Sequence, residues 1–371
     1  MNIGKFFKKA FFGALLISIS GFAMAMEPTQ ETPKDDYQIR INCHGSEQEF
    51  KLSPEFTKRI PNKIDLDSIY LDRHFLKDTK EIRKYLDEHE LQREMIQIQT
   101  EDGYCVFGEL FDRGSDVLLV VGSGFPTPRE KMVPFLALFS EYNILFIDYV
   151  GQELNHIPQT WIGSFTYRFF DVDMCATRLG STDEIDVINL VKTVKQRKIY
   201  SHCYGLALCH SASIFVKASI IEPTLFEKLI IDGCWPSIKQ VIKKVAHDPF
   251  LICGRQPPNS PCRFITYQDW FQNFACYLVE MLTKLKLSDI KSIEEHLPHL
   301  TIPVLFFQSS KDCYCSLEQF ENIWKSINSD KVAVFTPHFH GKNYLYGTKI
   351  YEAIASAFLL NINIKELSKC F

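Results

Sequence analysis

From residue 93 onward, short apolar runs alternate with longer stretches in which apolar residues recur at helical spacing. An uninterrupted apolar run of about four to eight residues suits a strand that is covered on both faces. The longer stretches predict helices, and residues 181–196 begin with the Ser and acidic residues typical of a helix start. The predicted strands are residues 116–121, 142–151, 204–208, 227–233, 303–312 and 331–337.

Strands that alternate with helices in this way predict an α/β fold, with a mostly parallel sheet and helices on both faces. Residues 93–111 differ, because apolar and polar positions alternate on both sides of Asp102-Gly103. That pattern predicts an antiparallel hairpin in front of the parallel sheet.

The N-terminal quarter of the chain has a different character. Lys5, Lys8 and Lys9 precede the apolar residues 10–20, and Ala-Met-Ala at 23–25 fits a cleavage site. Residues 1–25 are therefore predicted to be a secretory signal, which makes the protein exported, to the periplasm or the medium. No other segment is apolar and long enough to predict a membrane span.

Residues 26–92 are predicted to form a small N-terminal extension that packs on the main domain, residues 93–371. Within it, residues 37–52 predict a hairpin around His44-Gly45, and residues 77–91 predict a charged helix.

Composition narrows the class of protein. The 371 residues are 46% hydrophobic with a formal net charge of −4, as in a globular protein without the positive field that attracts nucleic acid. The 12 Cys show no disulfide framework, although Cys253 and Cys262 could pair across a loop. Cys203, Cys209 and Cys234 lie in apolar surroundings and are expected in the core. No Cys and His cluster has ligand spacing, so no metal is predicted.

The order of elements carries a resemblance. A hairpin precedes the parallel sheet, a candidate nucleophile follows the third parallel strand, and an Asp and a His follow the last two strands. This order resembles the α/β-hydrolase superfamily over residues 93–371. The resemblance implies a nucleophile on a tight strand-to-helix turn, and a cap at about residues 235–299. We expect Trp270 and Phe274, four residues apart in that insertion, to line an apolar pocket.

Two candidates compete for the nucleophile. The turn requires small residues two positions before and after the nucleophile, and both Cys203 and Ser211 satisfy this. Ser211 leaves residues 204–208 as an apolar central strand and residues 212–221 as the following helix. Cys203 would leave only a short, polar strand. Spacing therefore favours Ser211, with Cys203 as the alternative and a catalytically inactive fold as a third possibility.

The resemblance places the base at His340 and the acid at Asp312, with His338 and Asp232 as alternatives. The oxyanion hole would use the backbone N–H groups of Phe125 and Ala212. The sequence thus predicts a serine hydrolase that acts on a small or acyl substrate with an ester, thioester or amide bond. It needs no cofactor, no nucleic acid partner and no membrane-spanning segment after signal cleavage. The alternatives are a non-catalytic binding or adaptor protein that acts through residues 37–92, and a cysteine hydrolase that uses Cys203.

Overall fold

The computed structural model describes residues 37–43, 45–52, 93–125, 132–152, 163–164, 173–247, 268–346 and 348–360. The predicted signal at residues 1–25 and the charged helix at residues 77–91 lie outside these ranges, as do Cys253 and Cys262. Within them, no helix has the length and apolar character needed to cross a membrane.

Ten strands form one sheet in the order β2-β1-β10-β9-β8-β7-β5-β6-β4-β3. The central strands from β10 to β6 are parallel, and an antiparallel hairpin flanks them at each edge. The strands are β1 Gln38–Cys43, β2 Ser46–Lys51, β3 Arg93–Gln99, β4 Cys105–Phe111, β5 Val117–Gly122, β6 Asn143–Ile147, β7 His202–Cys209, β8 Lys228–Cys234, β9 Val304–Ser309 and β10 Lys331–Thr336. The predicted α/β architecture is confirmed.

Helices connect the parallel strands and pack on the sheet. They are α1 Pro134–Leu138, α2 Asp183–Arg197, α3 Ser211–Ile221, α4 Ile238–His247, α5 Asp269–Thr283, α6 Ile293–His296, α7 Leu317–Ser326, α8 Asn343–Tyr346 and α9 Thr348–Leu359, with a 3-10 turn at Leu297–His299.

The two faces of the sheet explain the uninterrupted apolar runs. In β5, Leu119 and Val121 enter one hydrophobic core, whereas Leu118 and Val120 enter the other. Successive side chains of a strand point to opposite faces, so a strand covered on both faces needs apolar residues at every position.

The predicted N-terminal hairpin forms, and it belongs to the main sheet. β1 pairs antiparallel with β10, from Gln38 opposite Phe335 to Asn42 opposite Lys331. The Tyr37 hydroxyl lies 2.7 Å from Nε2 of His338, in the loop after β10. The described part of residues 37–92 therefore completes one edge of the sheet.

The insertion between β8 and β9 contains α4 and α5, which pack against each other. The following helix, α6, contacts α3 and α7 and so belongs to the layer over the sheet. Trp270 and Phe274 of α5 are 62% and 39% exposed. The described residues do not enclose these two rings in a pocket, and residues 248–267 of the predicted cap lie outside them.

Strand order creates a switch point beside β5. The chain passes from β5 to β6 on one side, and later enters β7 on the other side of β5. In open α/β sheets, ligands bind at the carboxyl ends of the strands that flank such a point. Here these are the end of β5 at Gly122 and the end of β7 at Cys209.

Candidate active site

The turn between β7 and α3 is centred on Cys209. Its φ is +54°, in the left-handed region that residues other than Gly rarely adopt. The strand pairing with β8 shifts register between Leu208 and Cys209, and α3 begins two residues later at Ser211. Ala207 and Ser211, two positions before and after Cys209, are both small. This is the strained strand-to-helix geometry that presents a nucleophile in the α/β-hydrolase fold.

Ser211 lies at the start of α3, past the turn, and is fully buried. Its hydroxyl donates a hydrogen bond to the Ser123 carbonyl, and the Tyr149 hydroxyl lies 2.6 Å from the same oxygen. The structure therefore does not form the expected pairing of Ser211 with His340. The strand-to-helix turn thus lies at Cys209, two residues before the position expected from the sequence.

Cys203 lies near the opposite end of β7. Cys209 lies six positions further along the extended strand, which corresponds to about 20 Å. Burial raises the pKa of the Cys203 thiol to about 12. A buried thiol with so high a pKa is a poor nucleophile, and Cys203 is a core residue as expected. Cys209 was expected in the core too, and it is buried in the core at the carboxyl end of β7, where the turn begins.

His340 lies in the loop after β10, where its ring connects two side chains. Its Nδ1 is 2.7 Å from Oδ2 of Asp312. On the other side, the Cys209 thiol lies close enough to the ring to raise its pKa, and Nε2 has no hydrogen-bond partner among the described residues.

Opposing effects set the protonation of His340. Burial lowers the pKa of the imidazole, but the charge of Asp312, with that of Cys209, outweighs burial and raises the pKa well above its usual value. Asp312 and Cys209 therefore favour the imidazolium form of His340.

Two backbone N–H groups fix the orientation of the Asp312 carboxylate. The Tyr314 and Cys315 backbone N–H groups donate to its Oδ1 at 2.8 and 2.9 Å, which leaves Oδ2 for His340. The side chain is fully buried. A carboxylate held by two backbone donors keeps one ring orientation of the histidine.

The alternative base and acid have other partners. His338 contacts the Tyr37 hydroxyl, and burial lowers the pKa of His338 to about 4. Asp232 accepts a hydrogen bond from Asn343 at 2.5 Å, and burial raises the pKa of its carboxyl to about 7. The structure thus pairs His340 with Asp312, as expected from the sequence.

The loop after β5 approaches the turn from the side of the switch point. The Phe125 ring packs edge-on against His210 at 5.7 Å and against Trp235 at 6.3 Å. Burial lowers the pKa of His210 to about 3, so its ring is neutral and serves in packing. Ala212, the other predicted oxyanion residue, is the second residue of α3 and is fully buried.

Gly233 leaves the space that the His340 ring occupies. Its φ is +63°, and a Cβ there would lie 2.9 Å from the Gly341 nitrogen and 3.0 Å from Nδ1 of His340.

We expect Gly233→Ala to lower the free energy of unfolding by about 1–3 kcal/mol more than Gly114→Ala does, as measured by urea denaturation. Gly114 has φ +76° with nothing within 4 Å, so it isolates the cost of the backbone conformation. Equal losses in the two variants would show that the His340 loop does not pack on Gly233.

Metal ligands are not grouped in this part of the chain. In the ranges that the structure describes, no three His, Cys, Asp or Glu side chains are arranged to hold a metal ion. Cys313 and Cys315 follow Asp312 in the same loop, and neither forms a disulfide.

Comparisons with known proteins bear on the fold. No protein-family model and no curated protein sequence matches the chain. The esterase Pf2001 from Pyrococcus furiosus is similar in structure over 74% of this chain and 95% of that chain, with a TM-score of 0.54 and 14% identity. A structure of DcsB in complex with its substrate analogue is similar over 73% and 99%, with a TM-score of 0.50 and 12% identity. Such low identities show the fold alone, and the chain has the α/β-hydrolase fold.

Two site residues escaped the sequence analysis. Cys209 carries the turn, and Tyr149 bonds Ser211. For Cys209 a signal existed, because Ala207-Leu208-Cys209-His210-Ser211 is a third pattern with small residues on both sides, one residue beyond the apolar run 204–208. For Tyr149, which follows β6 by two residues, the sequence offers no comparable signal.

Proposed function

We propose that the chain is an acyl hydrolase in which Cys209 is the nucleophile, His340 the general acid and base, and Asp312 the residue that orients His340. The observation that carries the proposal is Cys209 itself. It has a left-handed φ at the strand-to-helix turn, and it lies against the histidine that Asp312 holds. The hydrolase activity predicted from the sequence is kept, with a thiol in place of the Ser211 hydroxyl.

The reaction follows from the pairing. The Cys209 thiolate attacks the carbonyl carbon of the substrate, and the carbonyl electron pair moves to its oxygen. When the tetrahedral intermediate collapses, the leaving group takes the proton of the His340 imidazolium, and Cys209 keeps the acyl group as a thioester. The neutral imidazole then removes a proton from water, which attacks the thioester. Release of the acid restores the thiolate and the imidazolium.

The oxyanion would be stabilised by two backbone N–H groups. With Cys209 as the nucleophile, the following N–H belongs to His210 instead of Ala212. The second donor is Phe125, as predicted, on the loop after β5. The contact between the Phe125 and His210 rings supports this, because it brings the two segments together.

Among the ester, thioester and amide bonds, we propose an ester as the bond that is hydrolysed. The structurally similar Pf2001 is an esterase. The described surroundings of the site are aromatic, with Trp235 packing against Phe125, His210 and Tyr314. An apolar wall of this kind suits an acyl or other hydrophobic group.

Labelling distinguishes a cysteine from a serine nucleophile. We expect iodoacetamide to modify Cys209 faster than Cys203 or Cys234, because a thiolate is the reactive form. The modification should abolish hydrolysis of p-nitrophenyl acetate, and peptide mass spectrometry identifies the site. If a fluorophosphonate instead labels Ser211, and alkylated protein stays active, the serine mechanism is correct. Protein that hydrolyses no acyl substrate and shows no fast thiol would support the non-catalytic alternative.

A further inference from the structure

A buried chain of hydrogen bonds connects three segments around the site. It begins at Tyr149 after β6, passes through the Ser211 hydroxyl at the start of α3, and ends at the Ser123 carbonyl after β5. Ser211 and Ser123 are fully buried, and Tyr149 is 3% exposed. Buried polar groups persist when they are paired, and here each bond crosses between segments that are distant in sequence.

The direction of the bonds is fixed by chemistry. The Ser123 carbonyl only accepts, so the single Ser211 proton must point to it. Tyr149 must then donate to the Ser211 oxygen. Burial raises the pKa of Tyr149 far above its usual value, so the phenol keeps its proton over the working range of pH. The Ser211 hydroxyl is thus held in one rotamer.

The chain of bonds is tightly enclosed. A Cβ at Gly122 would lie 2.7 Å from both the Ser211 Oγ and the Tyr149 hydroxyl, and 2.8 Å from the Phe215 ring. Gly122 is the last residue of β5, directly before Ser123. The glycine therefore allows the two hydroxyls to approach the strand end, next to the Ser123 carbonyl that Ser211 bonds.

We propose that Ser211, with Tyr149 behind it, is a positioning residue for the oxyanion hole, where it fixes the loop after β5 relative to the Cys209 turn. This inference rests on the proposed function. The peptide bond is planar, so a fixed Ser123 carbonyl fixes the Gly124 N–H on the opposite side of the same plane. The next peptide, whose N–H belongs to Phe125, extends from this fixed plane. The other donor, His210, lies on the segment that carries Ser211, and one hydroxyl therefore sets the spacing between both donors.

The test compares two reactions of the same thiol. Acyl transfer builds an oxyanion, whereas alkylation by iodoacetamide does not. We expect Ser211→Ala to lower the acylation rate with p-nitrophenyl acetate by about 10- to 100-fold, below the full loss of an oxyanion donor, with KM changed by less than about threefold. The rate of Cys209 alkylation in Ser211→Ala should stay within about twofold of the rate in the wild-type protein. Tyr149→Phe should cause the same pattern with a smaller loss.

Two variants serve as matched controls. Ser219→Ala removes another buried hydroxyl of α3, which donates to the Phe215 carbonyl at 2.8 Å. Tyr142→Phe removes a buried phenol that has no hydrogen-bond partner among the described residues. Neither should change the ratio of acylation to alkylation.

The outcomes separate the positioning role from its alternatives. If acylation and alkylation fall together in Ser211→Ala, the hydroxyl supports the Cys209 turn as a whole, and the proposal is overturned. Unchanged acylation overturns it too. Amide hydrogen exchange over residues 122–125 gives a readout without activity, and it should accelerate in Ser211→Ala but not in Ser219→Ala. If the wild-type protein hydrolyses no ester, the proposed function fails. Hydrogen exchange then decides whether Ser211 holds the loop.

Discussion

Replacing Cys209 with alanine is expected to lower the hydrolysis of p-nitrophenyl acetate by at least about three orders of magnitude, because no covalent intermediate can form. The side chain is small and the loss of one thiol leaves the packing around the turn largely intact. The melting temperature should therefore stay close to that of the unmodified protein. The measurement is kcat/KM together with thermal unfolding on the same preparation.

The matched control is Cys203→Ala, on the same strand. Cys203 is buried at the other end of β7, so its loss should affect stability slightly and leave kcat/KM unchanged. The three variants Cys209→Ala, Ser211→Ala and Cys203→Ala should then rank from the largest loss of activity to none. Full activity in Cys209→Ala combined with complete loss in Ser211→Ala would return the nucleophile to the serine.

The sheet could be predicted because its signal is distributed over many residues. Each parallel strand is apolar at nearly every position, and any one run could be misjudged without changing the order of strands. His340 and Asp312 could be proposed from the sequence for a similar reason. Each follows a strand whose end is clear in the sequence, and carboxyl ends of parallel strands meet at one edge of the sheet.

The nucleophile depends on a single torsion angle. Residues 201 to 213 contain three patterns with small residues around a Cys or Ser, and the last two overlap. The structure extends β7 by one residue beyond the carboxyl end of the predicted strand and places the left-handed φ at Cys209. Small flanking residues permit the turn at each position, and only packing decides which residue adopts it. That packing includes the fit of Ser211 against Gly122 and Tyr149, which no local pattern reveals.

The insertion between β8 and β9 shows why a pocket could not be predicted from the sequence. The spacing of Trp270 and Phe274 correctly predicts that both rings share a face of one helix. It does not tell whether that face points to a pocket, and in the described residues both rings are exposed. Periodicity identifies a face, whereas its partner is a tertiary property.

Replacing Asp312 with asparagine is expected to lower kcat/KM by about two to four orders of magnitude, and to narrow the pH range of activity from the alkaline side. Burial alone lowers the pKa of His340, and the charge of Asp312 is the largest of the effects that raise it. Without the carboxylate the pKa of His340 falls, so the imidazolium loses its proton at a lower pH and can no longer protonate the leaving group.

The alkaline limb of the kcat/KM profile should therefore move to lower pH in Asp312→Asn, which a pH series with p-nitrophenyl acetate measures. Asp232→Asn is the control, because the Asp232 carboxyl bonds Asn343 instead of the His340 ring. The charge of Asp232 reaches His340 without a hydrogen bond, so Asp232→Asn should move the alkaline limb much less than Asp312→Asn does. A shift in Asp232→Asn with none in Asp312→Asn would make Asp232 the acid of the site. An alkaline limb that stays fixed in both variants would mean that His340 does not supply the proton.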